Sequence, residues 1–371
     1  MIYFDHNATT PVEPEVAAAL DEAWHAGFAH PESLHAAGRL ARRRLEEARQ
    51  SLLKACSAEG AQVAFFASGT QANQAAVAAV AKRPTARIVA SPVEHPSLLD
   101  ILQRVAHQGH DVRWLRVDSC GRIQLDELAQ CLDQPTDLVV IQGANHETGV
   151  VQPLEAIGSV CSGTGTPWLI DAVQLVGKAP FRFDAIGATL ATLSAHKFGG
   201  PRGIAALLVA PRPDHRLEPA DFPDWDATGT DPVELAIGLQ AAVERLTTQR
   251  MARLRELRER LERRLLDDFP AAVIHGRAAD RIAQTTFVAF PGVDRQALLM
   301  ALDQHGIACS SGAACRSGAA EPSPTLVAMG VPAGHLESSI RISLGPTNTR
   351  SEIDHFMEIL ADLIPRLRSA S

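Results

Sequence analysis

The chain has 371 residues, of which 46% are hydrophobic and 21% are charged, and its formal net charge is −8 at pH 7. A chain of this length and apolar content can bury a large core, and we expect one large domain with a smaller one. The acidic balance argues against nucleic acid or an anionic membrane as the main partner. No run of about 18 apolar residues is present, so we expect no membrane-spanning helix.

The N-terminus and the cysteines favour a cytoplasmic protein. Residues 1–6 contain no basic segment followed by an apolar run, so we do not expect a signal peptide. The six cysteines form no CxxC pair, which indicates reduced thiols and neither a disulfide framework nor a metal site. These cysteines are Cys56, Cys120, Cys131, Cys161, Cys309 and Cys315.

Short apolar runs alternate with helical patterns from residue 60 to residue 210. Because these runs do not alternate with polar residues and are joined by predicted helices, over residues 71–81 and 98–107 for example, they favour an α/β fold with a mostly parallel sheet covered on both faces. Ligands of such sheets bind at the carboxyl ends of the strands. The predicted strands are residues 63–66, 87–90, 112–115, 138–142, 168–171, 188–193 and 204–209.

The C-terminal third has a different pattern. An amphipathic stretch over residues 233–269, rich in Arg, Glu and Leu, is expected to link the large domain to a small α+β domain. That domain is predicted to have strands over residues 285–290 and 339–344, and helices over residues 295–305 and 351–368. We therefore expect an N-terminal arm over residues 1–15 packing with the small domain, a large domain over residues 16–250 and a small domain over residues 251–371.

Lys197 is the strongest single indication of chemistry. It lies in Ser194-Ala195-His196-Lys197, directly before a glycine-rich segment that lets backbone approach a ligand. Only four of the 35 Lys and Arg residues are lysines, so a lysine in this setting is unusual. An amine, unlike a guanidinium, can form a Schiff base with an aldehyde. The segment therefore predicts covalent attachment of pyridoxal phosphate.

Polar residues also follow other predicted strands. Ser68-Gly69-Thr70 would present amides and hydroxyls to a phosphate at a helix N-terminus, or would simply cap that helix. Asp171 ends a predicted strand and could pair with a pyridinium nitrogen, although it could equally cap the next helix. His95 could stack on a flat ring and exchange protons, or be an ordinary hydrogen-bonded histidine.

Two further residues suggest a sulfur chemistry and a carboxylate substrate. Cys315 lies in a Gly-, Ser- and Ala-rich segment beside Arg316, which would favour the thiolate, whereas Cys309 is consistent with a small buried hydrophobe. Arg341 lies inside a predicted apolar strand and needs a bidentate partner there. That partner would be a substrate carboxylate or an internal acid.

Together these segments resemble the cysteine desulfurases, which belong to the class V aminotransferases of the fold-type I pyridoxal-phosphate enzymes. The resemblance begins at residues 3–11 (Tyr-Phe-Asp-His-Asn-Ala-Thr-Thr-Pro), runs through residues 31–35 and the motifs above, and ends at residues 339–345. The subfamily depends mainly on the Cys315 segment and on Glu321-Pro322-Ser323. The resemblance implies a homodimer that binds L-cysteine or a similar amino acid and a sulfur-acceptor protein.

The resemblance also assigns roles around the cofactor. It implies that Lys197 forms the Schiff base, that Asp171 pairs with the pyridine nitrogen, that Gln174 contacts the ring hydroxyl and that His95 stacks on the ring. Backbone at Gly69 and side chains of both subunits would hold the phosphate. The phosphate-binding side chains would be Thr70, Ser194, His196 and, from the second subunit, Thr230.

The remaining implied roles concern the substrate. Arg341 would bind its carboxylate, and Asn145 and His146 would lie close to cofactor and substrate. Cys315 would attack the sulfur, become a persulfide and leave alanine. The catalytic residues implied are thus Lys197, His95 and Cys315.

The sequence departs from the family pattern at four places. His146 stands where the family usually has the second Asn of Asn-Asn-Glu, which adds a titratable group. Residues 222–227 replace a glycine-rich segment, Pro346 replaces an arginine after Gly345, and Thr189 stands in place of an aspartate expected several residues before Ser194. A related lyase or aminotransferase on another amino acid, and a non-catalytic sulfur-relay scaffold, are the alternative functions.

Overall fold

The computed structural model describes residues 1–26, 29–211, 231–312 and 322–369. Its strands are β1 (Ile2–Tyr3), β2 (Gln62–Phe66), β3 (Arg87–Ala90), β4 (Asp111–Trp114), β5 (Leu138–Val140), β6 (Trp168–Asp171), β7 (Leu190–Ser194), β8 (Ala205–Val209), β9 (Val273–Ile274), β10 (Thr285–Ala289), β11 (Ile307–Ala308) and β12 (Ser339–Ser343). Its helices are α1 (Pro14–Ala26), α2 (Ala36–Ala55), α3 (Gly69–Ala81), α4 (Pro96–His107), α5 (Leu125–Leu132), α6 (Leu154–Thr164), α7 (Phe183–Ile186), α8 (Val233–Val243), α9 (Thr248–Asp268), α10 (Arg295–Gln304), α11 (Pro324–Ala328), α12 (Ala333–Leu336) and α13 (Arg350–Ser369).

The central sheet has seven strands in the order β2-β8-β7-β6-β5-β3-β4. Only β8 is antiparallel to its two neighbours, β2 and β7, and the other pairs are parallel. Six strands therefore run in one direction and end at the same edge. The predicted α/β fold with a mostly parallel sheet is confirmed.

Each face of this sheet is buried under a separate apolar core. Along β8, Leu208 packs into the core that includes α1, α2, α6 and α8, whereas the adjacent Leu207 packs into the core formed with α3 and α4. Successive side chains of a strand point to opposite faces, so a strand covered on both sides needs a continuous apolar run. This explains why the sequence of these strands does not alternate.

A second, antiparallel sheet in the order β12-β10-β9 organises the C-terminal part. Its core includes Leu254 and later residues of α9 together with α10 and α13, and Phe4 from the N-terminal segment is buried in it. By contrast, Leu246 packs against the large core. The domain boundaries expected at residues 15 and 250 stay predictions.

The amphipathic stretch over residues 233–269 is two helices, α8 and α9, and not one. The Thr247 side chain accepts a hydrogen bond from the Arg250 amide and begins α9, because a hydroxyl at this position satisfies an otherwise unpaired helical N–H. Among the described residues, no helix is both long and apolar enough to cross a membrane.

Candidate active site

Five strands deliver polar residues to one edge of the central sheet. Because β2, β3, β5, β6 and β7 run in the same direction, the residues that follow their last positions converge there. The residues brought to this edge are Ser68, Gly69 and Thr70 after β2, His95 after β3, Asn145 and His146 after β5, Asp171 at the end of β6, and Ser194, His196 and Lys197 at the end of β7.

A cavity of about 220 Å³ opens at this edge. It contains most of the residues that the sequence predicted for the cofactor, and it adds several that the sequence did not single out, of which Asn73 is discussed below. Its lining is formed by Ser68, Gly69, Thr70, Asn73, His95, Ser97, Gln142, Ala144, His146, Asp171, Val173, Gln174, Ser194, His196 and Lys197.

Lys197 lies in a short 3₁₀ turn after β7, and its amine is largely buried. Its Nζ donates to the backbone carbonyls of Asn7 at 2.7 Å and Ala8 at 2.9 Å, so the N-terminal segment covers the lysine. Burial, assisted by the positive charge of Arg341, lowers the pKa of Lys197 to about 8. A buried amine with a lowered pKa is suited to nucleophilic chemistry.

Asp171 is buried and held in a fixed orientation. Its Oδ2 accepts from Asn73 Nδ2 at 2.9 Å, and its Oδ1 accepts from the Val173 amide at 3.0 Å. Asn73 is itself fixed, because Thr192 Oγ1 donates to its Oδ1 at 2.7 Å. Burial raises the pKa of Asp171, and these hydrogen bonds partly oppose that shift. A protonated ring nitrogen would offset the cost of the buried carboxylate.

Asn73 is a site residue that the sequence interpretation missed. It lies one turn after Gly69 and Thr70 on α3, so helical spacing places it on the same face as the predicted phosphate-binding residues. This helical spacing is the sequence feature from which Asn73 could have been identified. Its contact with Asp171, 98 positions further along the chain, depends on the tertiary fold.

Gln174 belongs to a polar network that reaches Lys197. Its Nε2 donates to the Asn7 carbonyl at 2.9 Å, which is the same oxygen that accepts from Lys197. Its Oε1 accepts a hydrogen bond from the buried amine of Lys178. The amide of Gln174 is thereby oriented, with its NH₂ group on the side of the Asn7 carbonyl. Asn7 and Lys178 were not assigned a role from the sequence.

His95 begins α4, and its ring lies at the cavity. Its Nδ1 accepts from the Ser97 amide at 3.1 Å and lies 2.8 Å from the Ser97 hydroxyl. With Nδ1 accepting, the proton of the neutral ring lies on Nε2. The hydrogen-bonded alternative from the sequence is therefore observed; the histidine also lines the cavity, and its stacking on a ring stays a prediction.

His146 faces His95 across the cavity, with ring centroids 5.2 Å apart and an interplanar angle of 73°. Its Nε2 lies 3.4 Å from Glu147 Oε1, and the other oxygen of Glu147 accepts from the Ser323 hydroxyl. Within the described residues, His146 Nδ1 is buried without a hydrogen-bond partner. Buried polar atoms without a hydrogen-bond partner are uncommon in native proteins.

Asn145 and Arg341 do not line the cavity in the described part of the chain. The Asn145 side chain is used inside the protein, where Oδ1 accepts from Thr148 N at 2.8 Å and Nδ2 donates to Val93 O at 3.1 Å. Arg341 is buried, and its Nη1 donates to the His146 carbonyl at 2.9 Å. The substrate-binding roles of both residues stay predictions.

The phosphate end of the cavity is formed by the start of α3 and by the turn after β7. The Ser68 side chain accepts from Gln71 N at 3.2 Å, so the predicted cap is present. A Cβ at Gly69 would lie only 3.2 Å from Val173 Cγ2, which explains the glycine at this close approach. Burial, together with the charge of Lys197, lowers the pKa of His196 to about 4.

Three predicted features lie outside the described residues. They are Cys315, Thr230 and the departure over residues 222–227. Thr189 is buried just before β7, at the opposite end of this strand from Ser194 and the cavity, and its hydroxyl accepts from the Trp168 amide at 3.2 Å. Gly345 packs directly on His6, since a Cβ there would lie 1.9 Å from the His6 ring.

These residues fit pyridoxal phosphate. A helix N-terminus with Ser and Thr hydroxyls and nearby cations suits a phosphate, a buried amine suits an aldehyde, and a fixed buried carboxylate suits a pyridinium. Gly69 lines the cavity without a side chain, so the backbone at the start of α3 can approach a ligand closely.

Comparison with known proteins supports the same cofactor and the same family. The model of the class-V aminotransferase family matches residues 2–356. The chain is 36% identical over 379 residues to cysteine desulfurase 2 of Trichormus variabilis, covering 100% of this chain and 95% of the relative. It is 37% identical over 390 residues to the IscS-like cysteine desulfurase of Mycobacterium tuberculosis, covering 100% of this chain and 98% of the relative.

The fold is also similar to solved structures. The X-ray structure of the NifS-like protein from Rickettsia africae matches with a TM-score of 0.84 and 29% sequence identity, covering 98% of this chain and 99% of that one. This chain belongs to the class-V aminotransferase family, whose members depend on pyridoxal phosphate. The predicted family and cofactor are confirmed.

Proposed function

We propose that this chain is a pyridoxal-phosphate-dependent cysteine desulfurase, which converts L-cysteine to L-alanine and holds the sulfur as a persulfide on Cys315. The observation that carries the proposal is the pairing of Lys197 with Asp171 in one cavity, within a chain that is similar over its full length to cysteine desulfurases. The departure from the family pattern at His146 does not affect Lys197 or Asp171.

Lys197, Asp171 and Asn73 have different roles toward the cofactor. When bound, the cofactor supplies an aldehyde that combines with amines and a ring that accepts electrons from the amino acid. Lys197 holds the cofactor, and a pKa of about 8 leaves about a tenth of its amine unprotonated at neutral pH. Asp171 keeps the ring nitrogen protonated, and Asn73 fixes the carboxylate.

The substrate and the phosphate are bound at opposite ends. Thr70, Ser194 and His196 hold the phosphate, and Thr230 of a second subunit completes that set. Arg341 binds the substrate carboxylate, close to the His146 carbonyl. His95 stacks on the ring and donates through Nε2.

The sulfur step is balanced without an external oxidant or reductant. The C–S bond of cysteine breaks and an S–S bond to Cys315 forms, so each sulfur is oxidised while the carbon keeps the electron pair of the C–S bond. One proton passes to that carbon, which gives alanine, and the enzyme thiol becomes a persulfide. The role of Cys315 rests on the family resemblance and on its Ser- and Gly-rich segment.

The quaternary structure and the partners are part of the same proposal. We expect a homodimer, because the family resemblance implies that Thr230 binds the phosphate of the other subunit, and a sulfur-acceptor protein that removes the persulfide. The proposal includes the reducing, cytoplasmic setting that the sequence favours, because its cysteines form no CxxC pair.

The test compares the wild type with Cys315→Ala and with the control Cys120→Ala. After incubation with L-cysteine, wild type and control are expected to release alanine and to gain one sulfur atom on Cys315 by mass spectrometry. Cys315→Ala should keep the visible absorbance of the bound cofactor but form neither persulfide nor sulfide.

Unchanged desulfuration by Cys315→Ala would contradict the proposal. Pyruvate as the product, or turnover of another amino acid in place of cysteine, would favour the related lyase. A wild type that binds the cofactor and turns over no amino acid would favour the scaffold.

A further inference from the structure

The backbone carbonyl of Asn7 accepts two hydrogen bonds from side chains that line the cavity. Lys197 Nζ donates to it at 2.7 Å, and Gln174 Nε2 donates to it at 2.9 Å. A carbonyl oxygen has two lone pairs, so both bonds form together. The Gln174 amide and the Lys197 amine therefore lie within two hydrogen bonds of each other and share one acceptor.

This shared carbonyl determines which end of the Gln174 amide faces it. A carbonyl oxygen only accepts, so the NH₂ group of Gln174 faces Asn7 and Oε1 lies on the other side of the amide. The amine of Lys178, four positions further along the chain, donates to that Oε1. Lys178 therefore holds the amide in the orientation in which it donates to Asn7.

Lys178 is itself buried and fixed. It is 2% exposed, its backbone amide donates to the Leu175 carbonyl at 3.0 Å, and its backbone carbonyl accepts from the Ala283 amide at 2.9 Å. A buried amine is costly unless it is hydrogen-bonded, and the bond that offsets this cost runs to Gln174. Gln174 is 5% exposed, so loss of the lysine would leave a buried amide oxygen without its donor.

Positive charges predominate around Lys178 and Lys197. Burial and neighbouring cations lower the pKa of Lys178 well below its ordinary value and lower the pKa of Lys197 to about 8. A small change in the hydrogen bonds of Lys197 thus changes the fraction of free amine at neutral pH. The groups that act on one or both lysines are Arg250 of α9, Arg341 of β12, Asp171 of β6 and Asp5 of the N-terminal segment, and the charge of Lys178 acts in turn on His6 and His196.

We infer that Lys178 is a positioning residue of this site, which holds the Gln174 amide against the Asn7 carbonyl and so limits how strongly that carbonyl binds the Lys197 ammonium. This inference rests on the proposed role of Lys197. A hydrogen bond to the charged form of a group favours that form. When the Gln174 amide turns away, the carbonyl binds the ammonium alone, the proton stays on Nζ, and less of the lysine is the reactive amine.

The test measures the protonation of Lys197 directly. The full-length protein, from which the cofactor has been removed, is labelled with trace acetic anhydride over a range of pH, because this reagent acylates only the unprotonated amine. Mass spectrometry resolves the labelling, since the chain has four lysines. Lys178→Met is expected to raise the pH midpoint of Lys197 labelling by about half a unit to one unit, which makes the free amine about 3- to 10-fold scarcer at neutral pH.

Three further variants separate positioning from charge. Gln174→Ala should raise the Lys197 midpoint by a similar amount, and it tests the same network even if Lys178→Met does not fold. Lys178→Gln should stay near the wild type, because its NH₂ group still donates to Gln174 Oε1 without a charge. The control Lys54→Met, at an exposed position on α2, should leave the Lys197 midpoint unchanged.

The double variant Lys178→Met/Gln174→Ala decides whether Lys178 acts through the amide. We expect it to have the midpoint of Gln174→Ala alone, because residues of one hydrogen-bond network do not have additive effects. Additive shifts, equal shifts in Lys178→Gln and Lys178→Met, or an unchanged midpoint in Lys178→Met or Gln174→Ala would each overturn the inference. The labelling needs no turnover, so a failure to release alanine from cysteine would count against the proposed function alone.

Discussion

Arg341 is already paired before any substrate is bound. Its Nη2 donates to Asp5 Oδ1 at 2.8 Å and its Nη1 to the His146 carbonyl, while its Nε is buried without a partner among the described atoms. A substrate carboxylate would therefore meet a guanidinium that is oriented in advance but shares its charge with Asp5. The internal acid that the sequence allowed as a partner of Arg341 is thus Asp5, and the role of Arg341 toward a substrate carboxylate stays a prediction.

Arg341→Lys is expected to raise KM for L-cysteine about 10- to 100-fold and to change kcat less. A lysine keeps the charge but cannot bridge Asp5, the His146 carbonyl and a carboxylate from one plane, and a lost charge-assisted hydrogen bond costs about 1.5–3 kcal/mol. Steady-state kinetics of alanine release measure KM and kcat for the variant and the wild type. The control is Arg113→Lys, whose ion pair with Asp111 is on the surface. A lost kcat with unchanged KM would contradict the binding role.

At the scale of elements, the start of α11 is joined to the loop after β5. The Ser323 hydroxyl accepts from the Leu326 amide at 3.1 Å and donates to the Glu147 carboxylate, so one side chain caps a helix and satisfies a buried acid. Glu147 in turn lies against His146. The position of α11 is thus coupled to the orientation of a cavity histidine.

Ser323→Ala should lower the free energy of unfolding by about 1–2 kcal/mol, because both a helix cap and a donor to a buried carboxylate are lost. Urea unfolding followed by circular dichroism measures it. Ser159→Ala is the matched control, since that serine is exposed within α6 and bonds only the preceding turn. Equal midpoints for the two variants would show that the Ser323 contacts contribute nothing.

The strands that were predicted end within a few residues of the observed ones, because an apolar run buried on both faces of a sheet is visible in the sequence. The predicted strand over residues 168–171 matches β6 at both ends. The break between α8 and α9 was missed, since Thr247 lies inside a continuous amphipathic pattern and its cap is a local contact. Hydrophobic periodicity indicates which residues are buried, but it does not indicate a local hydrogen bond such as the Thr247 cap.

Site residues were predictable where they end a strand and not where they act through another residue. Lys197 and Asp171 follow apolar runs, so topology alone brings them together. Asn7 shares no local pattern with its partners, because its amide donates to Ser343 Oγ at 2.9 Å, 336 positions away, and its side chain donates to Thr285. The family resemblance includes Asn7, within residues 3–11, but it does not imply which residues Asn7 contacts.

Over the whole molecule, the N-terminal segment connects the large sheet, the small sheet and the active site through one network. Asn7 contacts β12 and β10 with its amide and side chain, and its carbonyl accepts from Lys197 and from Gln174. Gln174 is held by Lys178, which is 2% exposed. Burial lowers the pKa of Lys178 well below its ordinary value, and the charge of Lys197 adds to the shift.

This buried lysine predicts a specific dependence of stability on pH. Between its folded pKa and its ordinary value of 10.5, the unfolded chain binds one more proton at this residue than the folded chain does. The free energy of unfolding therefore rises with pH in this interval, by at most about 1.4 kcal/mol per pH unit, and falls as the pH decreases. Replacing the lysine with an uncharged side chain removes this contribution.

Lys178→Met is accordingly expected to be more stable relative to the wild type at about pH 7 than at about pH 9, because only the wild type gains stability from the lysine as the pH rises. The variant also leaves Gln174 Oε1 without its donor, which shifts the stability difference by a similar amount at both pH values. Urea unfolding of holoenzyme at the two pH values separates these effects. Lys54→Met, at an exposed position on α2, should show a stability difference that does not change with pH. A stability difference between Lys178→Met and the wild type that stays constant from about pH 7 to about pH 9 would mean that Lys178 keeps its proton throughout and that the network holds a buried ammonium.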